Sequence, residues 1–282
     1  MSKLLTLTFS VCELIPYINW SYFLYVWQLA SQGHDDIAPQ AREEKRIRKE
    51  ALEMMMDFDK LYSVRCRIGL FDAVSREDDI LILHDDGSHT LLPCLRQQHD
   101  IKEGTPNLCL SDFIMPVSNN SDRIGVFATA ADSDMEHSYE DNTYLHMMAQ
   151  TVSDRLAEAA TELAHMKVRK EIWKYAPQEN LRTEELFAEK FQGIRPAVGY
   201  PSLPDQSVNF ILNDLIDMGK VGINITENGA MNPHAAISGL MISHPMAHYF
   251  NVGKIGHDQL TDYCRRRGLP MERIRQFLSA NI

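Results

Sequence analysis

The longest regular pattern in the chain runs from about 144 to 173, where Leu145, Met148, Val152, Leu156, Ala159, Leu163 and Met166 recur at intervals of three and four. That spacing lines one stripe of an α-helix. Lys167, Arg169 and Lys170 sit near its end, where the helix dipole favours cations, and Pro177 pushes Ala176 out of the helical region, so the helix should stop there. From 39 to 62 a charged run carries Ile47, Ala51, Leu52 and Met55 at the same intervals, which predicts an amphipathic helix with a solvated polar face. Residues 11–30 hold Trp20, Tyr22, Phe23, Tyr25 and Trp27, which suit a helix that packs in the core or faces a ligand. Strands are expected at 67–74, 80–83 and 124–128, with Asp85-Asp86-Gly87-Ser88 as the turn of a hairpin into Thr90-Leu91-Leu92. Farther on, helices are expected at 183–191 and 206–218, the second ended by Gly219. Strands should follow at 222–226, 235–242 and 249–255, then a terminal helix from Asp258 that breaks at Gly268-Leu269-Pro270. Strands cluster instead of alternating with helices, so the pattern predicts an α+β fold with a largely antiparallel sheet.

Composition narrows the function. The 282 residues carry 28 Lys+Arg against 39 Asp+Glu, a net charge of −11, with 44% hydrophobic positions. Such a chain buries a core without disulfides or metal, and its acidic balance disfavours a nucleic-acid partner. The dense basic clusters are confined to 42–49 and 265–267. Five cysteines without a C-x-x-C pair fit reduced thiols in the cytoplasm. The N-terminus, a short mixed stretch with one early Lys, predicts neither signal peptide nor membrane anchor.

Common catalytic templates are missing: there is no G-x-G-x-x-G, P-loop, H-E-x-x-H or G-x-S-x-G. His244 and His248 stand four apart, but Pro245 argues for a turn, and no third metal ligand is in view. The informative stretch is 189–204, which contains Arg195-Pro196-Ala197-Val198-Gly199-Tyr200-Pro201. Its prolines and glycines fix a loop on which a guanidinium could grip a ligand carboxylate and Tyr200 could add an aromatic face. The alternative is that Arg195 caps a helix end and Tyr200 fills the core. Asp154, Glu158 and Glu162, four residues apart on the long helix, read as a solvated acidic face.

The R-x-x-x-G-Y-P pattern resembles the reactivation domain of cobalamin-dependent methionine synthase. Further motifs match that family in register: Asp154-Arg-Leu-Ala-Glu158, Val168-Arg-Lys before Trp173, Tyr175-Ala-Pro-Gln-Glu179-Asn-Leu, Gln192-Gly-Ile-Arg195, and Ser243-His-Pro245 before Tyr249. So do Ile68-Gly-Leu-Phe71, Leu95-Arg-Gln-Gln98 and Cys109-Leu-Ser-Asp112-Phe. The resemblance implies one C-shaped α+β domain over 1–282, a bent, largely antiparallel sheet flanked by helices. It also implies a methyltransferase component of methionine biosynthesis that binds S-adenosylmethionine and supports reductive re-methylation of cob(II)alamin. Arg195 would hold the ligand's carboxylate, Ala197 and Gly199 would allow close approach, and Tyr200 would approach the methyl donor or the corrin. Tyr249 and Phe250 stand where the family usually has two tyrosines lining the adenosyl site. Asn19 stands where it has an Asp paired with the ligand's ammonium; Asn keeps an acceptor but no charge. Asp154 and Glu158 would meet the cobalamin module, outside the small-molecule site.

Because the sequence carries no cobalamin, folate or homocysteine module, the expected partners are a separate cobalamin-binding protein and a flavodoxin-like electron donor. The alternatives are a non-catalytic scaffold for a corrinoid protein, which Asn19 and Phe250 would favour, or a reactivator of another corrinoid methyltransferase.

Overall fold

The N-terminal stretch forms strand β1 (Lys3–Phe9). Its residues alternate as a strand requires, with Leu5, Leu7 and Phe9 turned to the core and Thr6 and Thr8 to the other side. The computed structural model describes residues 2–29, 37–98, 104–117 and 120–282, and of 37–40 the backbone alone. Position 30, the end of the expected aromatic helix, lies outside the described residues. That aromatic stretch is broken into α1 (Val11–Leu14), a 3-10 turn over Ile15–Tyr17, and α2 (Trp20–Val26). Pro16 occupies the first turn of the 3-10 segment, and Asn19 caps α2 by accepting the Tyr22 N–H. Helix α3 (Ile37–Phe58) follows, with Ile47, Ala51, Met54, Met55 and Phe58 buried along one stripe.

Strand β2 (Val64–Arg76) is the spine of the sheet. Along one edge it pairs first with β1, Lys3 opposite Leu70 and Phe9 opposite Val64, then with β3 (Asp79–Leu83) through Asp72–Leu83 and Arg76–Asp79. The expected hairpin joins β3 to β4 (His89–Pro93) around Gly87, whose φ of 85° suits glycine. The other edge of β2 pairs with β5 (Asp122–Ala131), which pairs in turn with β8 (Ala236–Met241). Every pairing among these strands is antiparallel.

Alternation splits the two faces. Cys66, Ile68, Phe127 and Met241 face one core with α1, α3 and α5 (Thr143–Lys167), which follows the short α4 (Ser133–Glu136). Phe71, Ala73, Val126, Ala128 and Leu240 face a second core. That core is closed by α7 (Val208–Ile216), which follows α6 (Thr183–Phe187). A small ladder of β6 (Asn224–Ile225) and β7 (Met231–Asn232) and the helices α8 (His257–Arg267) and α9 (Met271–Phe277) complete the fold, with Gly268 in the left-handed cap between the last two.

Helix α5 follows its expected stripe, but more of its circumference is buried than one stripe predicts. Thr151, Ser153 and Thr161 sit inside because each hydroxyl donates to the carbonyl four residues back, at 2.8 Å. At its end the α-helix gives way to one π-turn, Val168–Ile172, short of the expected Trp173.

Other expectations also yield to local geometry. Helix α6 stops at Phe187, not 191, and α7 stops at Asp217, itself left-handed at φ 53°, before Gly219 is reached. The strand expected at 222–226 shrinks to Asn224–Ile225, and 249–255 is no strand at all, because the ladder positions on β8 are taken by residues 194–198.

Candidate functional site

Residues 193–198 reach the edge of β8 through backbone hydrogen bonds. Ile194 and Ile242 exchange N–H to carbonyl bonds of 2.9 and 3.0 Å, Leu240 N–H donates to Pro196 at 3.0 Å, and Val198 N–H donates to Ser238 at 2.9 Å. Two glycines permit the approach. A Cβ on Gly239 would lie 2.3 Å from the Pro196 carbonyl oxygen, and one on Gly193, at φ 84°, would lie 2.2 Å from that of Ile242. Proline, glycine and ladder bonds thus fix the backbone of Arg195.

The Arg195 side chain crosses to α5. Its Nη2 donates to Glu162 Oε2 at 2.8 Å and its Nη1 to His165 Nδ1 at 3.1 Å. The ring proton of His165 therefore sits on Nε2, which faces Tyr175 Oη at 3.2 Å. Full burial, followed by the charges of Arg195 and Arg169, holds His165 well below its ordinary pKa, so the imidazole is neutral. Burial opposes the charge on Arg195, but Glu162 and the other acidic groups around it outweigh that, and its pKa lies above the usual value. Two of the five guanidinium N–H donors are used by these contacts, leaving three for a ligand.

These groups line a cavity of about 560 Å³. Phe127 and Ile237 contribute from the sheet, Glu158, Thr161 and Glu162 from α5, Asn19 and Tyr22 from the start of α2, and Tyr249 and Phe250 from the irregular segment after β8. The Tyr249 hydroxyl accepts the backbone N–H of Arg195 at 3.0 Å, so this side chain supports the loop as well as lining the cavity, and burial raises its pKa. The backbone of Phe250 is clipped to Ser202, whose hydroxyl accepts its N–H at 3.0 Å and donates to its carbonyl. Tyr200 stands at the mouth, 59% exposed.

Of the residues expected to bind a ligand, Asn19, Arg195, Ala197, Tyr200, Tyr249 and Phe250 all line this cavity. Gly199 is not among the lining residues; its φ of 86° suits glycine at the turn before Tyr200. The competing possibility for the loop fails on both counts: Arg195 caps no helix, and Tyr200 is not in the core. The acidic residues of α5 diverge. Asp154 stays outside, with Oδ1 3.4 Å from His234 Nδ1. Glu158 lines the cavity and pairs with Arg155 at 2.8 Å, and burial followed by the nearby Asp154 raises its pKa, so it is not separate from the small-molecule site as expected. Glu162 is 6% exposed, far from a solvated face. Together with Glu189, whose pKa is raised by burial, these place three carboxylates against one guanidinium in the cavity wall.

Glu162 and His165 are the residues that sequence reasoning misses; the signal was their spacing of three beside an apolar stripe, which a buried pair shares with ordinary surface positions. His244 and His248 pack their rings around Phe113, and no group of three or more metal-binding side chains occurs among the described residues. Among the described residues no helix is long and apolar enough to cross a membrane.

Comparison with known proteins agrees with this architecture. The model of the vitamin B12-dependent methionine synthase activation domain matches residues 10–268. The crystal structure of the MetH reactivation domain bound to AdoHcy superposes with a TM-score of 0.93 at 35% sequence identity, over 99% of this chain and 90% of that one.

Proposed function

Because the chain belongs to the family of vitamin B12-dependent methionine synthase activation domains, we propose that its cleft binds S-adenosylmethionine and presents the sulfonium methyl to a cobalamin carried by a partner module. The observation that carries this reading is Arg195: a guanidinium on a pinned backbone, with donors to spare, in a cavity within the roughly 300–1,000 Å³ range of small-molecule sites. The ligand's carboxylate would take the free side of that fork, and its adenosyl group the walls formed by Tyr249 and Phe250. Loss of one hydroxyl at Phe250 leaves an apolar ring where the adenine needs surface more than a hydrogen bond. Tyr200 and Tyr22, both exposed at the mouth, would meet the corrin.

When bound, the sulfonium supplies the methyl group and the partner's reduced cobalt supplies the electron pair that accepts it. This chain contributes positioning: it orients the donor, narrows the approach and keeps the tail of the ligand out of water. In this reading residues 1–282 act as one unit, the isolated chain is a component of a methyltransferase, and the electron comes from a flavodoxin-like carrier. The five free thiols suit a reducing cytoplasm.

Titration calorimetry tests the site. Wild type should bind S-adenosylmethionine saturably, and Arg195→Lys, which keeps the charge beside Glu162 but loses the planar fork, should bind about 10-fold more weakly. Equal affinities would remove Arg195 from the site, and no binding by either protein would favour the scaffold alternative.

A further inference from the structure

We infer that Glu162, and not Asn19, receives the ammonium of the methyl donor's amino-acid tail, an assignment that rests on the S-adenosylmethionine reading of the cleft. An α-amino acid carries its carboxylate and ammonium on a single carbon. Whatever holds the ammonium must therefore adjoin the guanidinium that holds the carboxylate. Glu162 does: its Oε2 accepts from Arg195 Nη2 at 2.8 Å. Its other oxygen, Oε1, is buried with no hydrogen-bond partner, although the residue lines the cavity and is only 6% exposed. A carboxylate oxygen stripped of water and left unpaired is costly, and a ligand ammonium is the strongest partner it could be given.

The other acidic or amide groups in the wall are worse placed. Asn19 and Asn251 are neutral, and their Oδ1 atoms already accept the N–H groups of Tyr22 and Gly253. Glu158 is paired with Arg155. Glu189 is only partly desolvated and its side chain stays open to water, which competes for it. Glu162 thus serves two cations at once, Arg195 with one oxygen and the ligand with the other.

The test compares two ligands on two proteins by calorimetry on the full chain: S-adenosylhomocysteine, and its analogue in which hydrogen replaces the amino group. Wild type should prefer the amine by about 10-fold or more, as expected of a charge-assisted contact in a buried site. Glu162→Gln, which keeps one carbonyl oxygen for Arg195, should shrink that preference to about 3-fold or less, with melting temperature recorded in parallel. Should Glu162→Gln not fold, Glu162→Asp keeps the charge for Arg195 and shortens the reach by one methylene, and it should give an intermediate preference. A wild type indifferent to the amine overturns the assignment, since water alone then satisfies Oε1. So does a variant that loses both ligands equally, because Glu162 would then serve only to hold Arg195. So does a preference abolished by Glu189→Gln and not by Glu162→Gln. Wild type that binds neither ligand would instead overturn the reading of the cleft itself.

Discussion

His165 has a partner on each ring nitrogen, with Arg195 and Arg169 both acting against its protonation. Its folded pKa lies well below the unfolded 6.5, so below that pH the unfolded chain binds a proton that the folded one refuses. The stability this group contributes is full above pH 6.5 and is lost as the pH falls beneath it, at a slope of about 1.4 kcal/mol per pH unit. His165→Asn keeps an acceptor for Arg195 without a titrating ring. In urea denaturation the stability gap between wild type and His165→Asn should therefore narrow by about 1 kcal/mol from pH 7.5 to 5.5; a constant gap would mean that the ring titrates in the fold as it does in the unfolded chain. Arg195 itself could be singled out from the sequence because proline and glycine bracket it, whereas nothing local marks His165, whose role depends on a loop thirty residues away.

At the scale of elements, the acidic row of α5 shows why part of the site was hidden. A step of four residues overshoots one helical turn by about 40°, so a row at that spacing winds around the helix instead of keeping to one face. Asp154 thus ends beside His234, Glu158 at the cavity and Glu162 inside it. The long helices, the β3–β4 hairpin and the terminal helix pair were legible because each is fixed by its own residues. The pairing of 194–198 with β8 was not, because it joins segments about forty residues apart and is licensed by Gly239, whose missing side chain matters only once Pro196 is placed against it. Gly239→Ala should cost about 1–3 kcal/mol by overpacking. Because the displaced segment carries Arg195 and Ala197, ligand affinity should fall as well. Chemical denaturation and calorimetry on the same samples check both, and an Ala variant of unchanged stability would mean the segment is free to move.

At the scale of the whole molecule, the two acidic positions expected to meet the partner occupy different surroundings. Asp154 lies outside the cavity, whereas Glu158 lines it. Asp154→Lys should therefore leave S-adenosylmethionine affinity within about 2-fold while abolishing docking to a cobalamin-loaded module through lost charge complementarity. Substitution of Glu158 should disturb both. A pull-down with that module, run beside ligand titration, checks the split; docking by Asp154→Lys as strong as wild type would return that residue to a merely solvated role.

Three carboxylates and one guanidinium in the cavity wall bear on how the proposed methyl donor and its spent form would be told apart. The methyl donor arrives with a sulfonium and a net charge of +1, and after giving up its methyl it is a neutral thioether tail. If the cleft takes the methyl donor as proposed, its acidic wall should attract the first more than the second, and the spent molecule should be released more readily than the fresh one. Several-fold tighter binding of S-adenosylmethionine than of S-adenosylhomocysteine at low salt, with the ratio falling toward one as salt is raised, is the expected result. A ratio indifferent to salt would mean that the spent donor leaves for reasons of shape and not of charge.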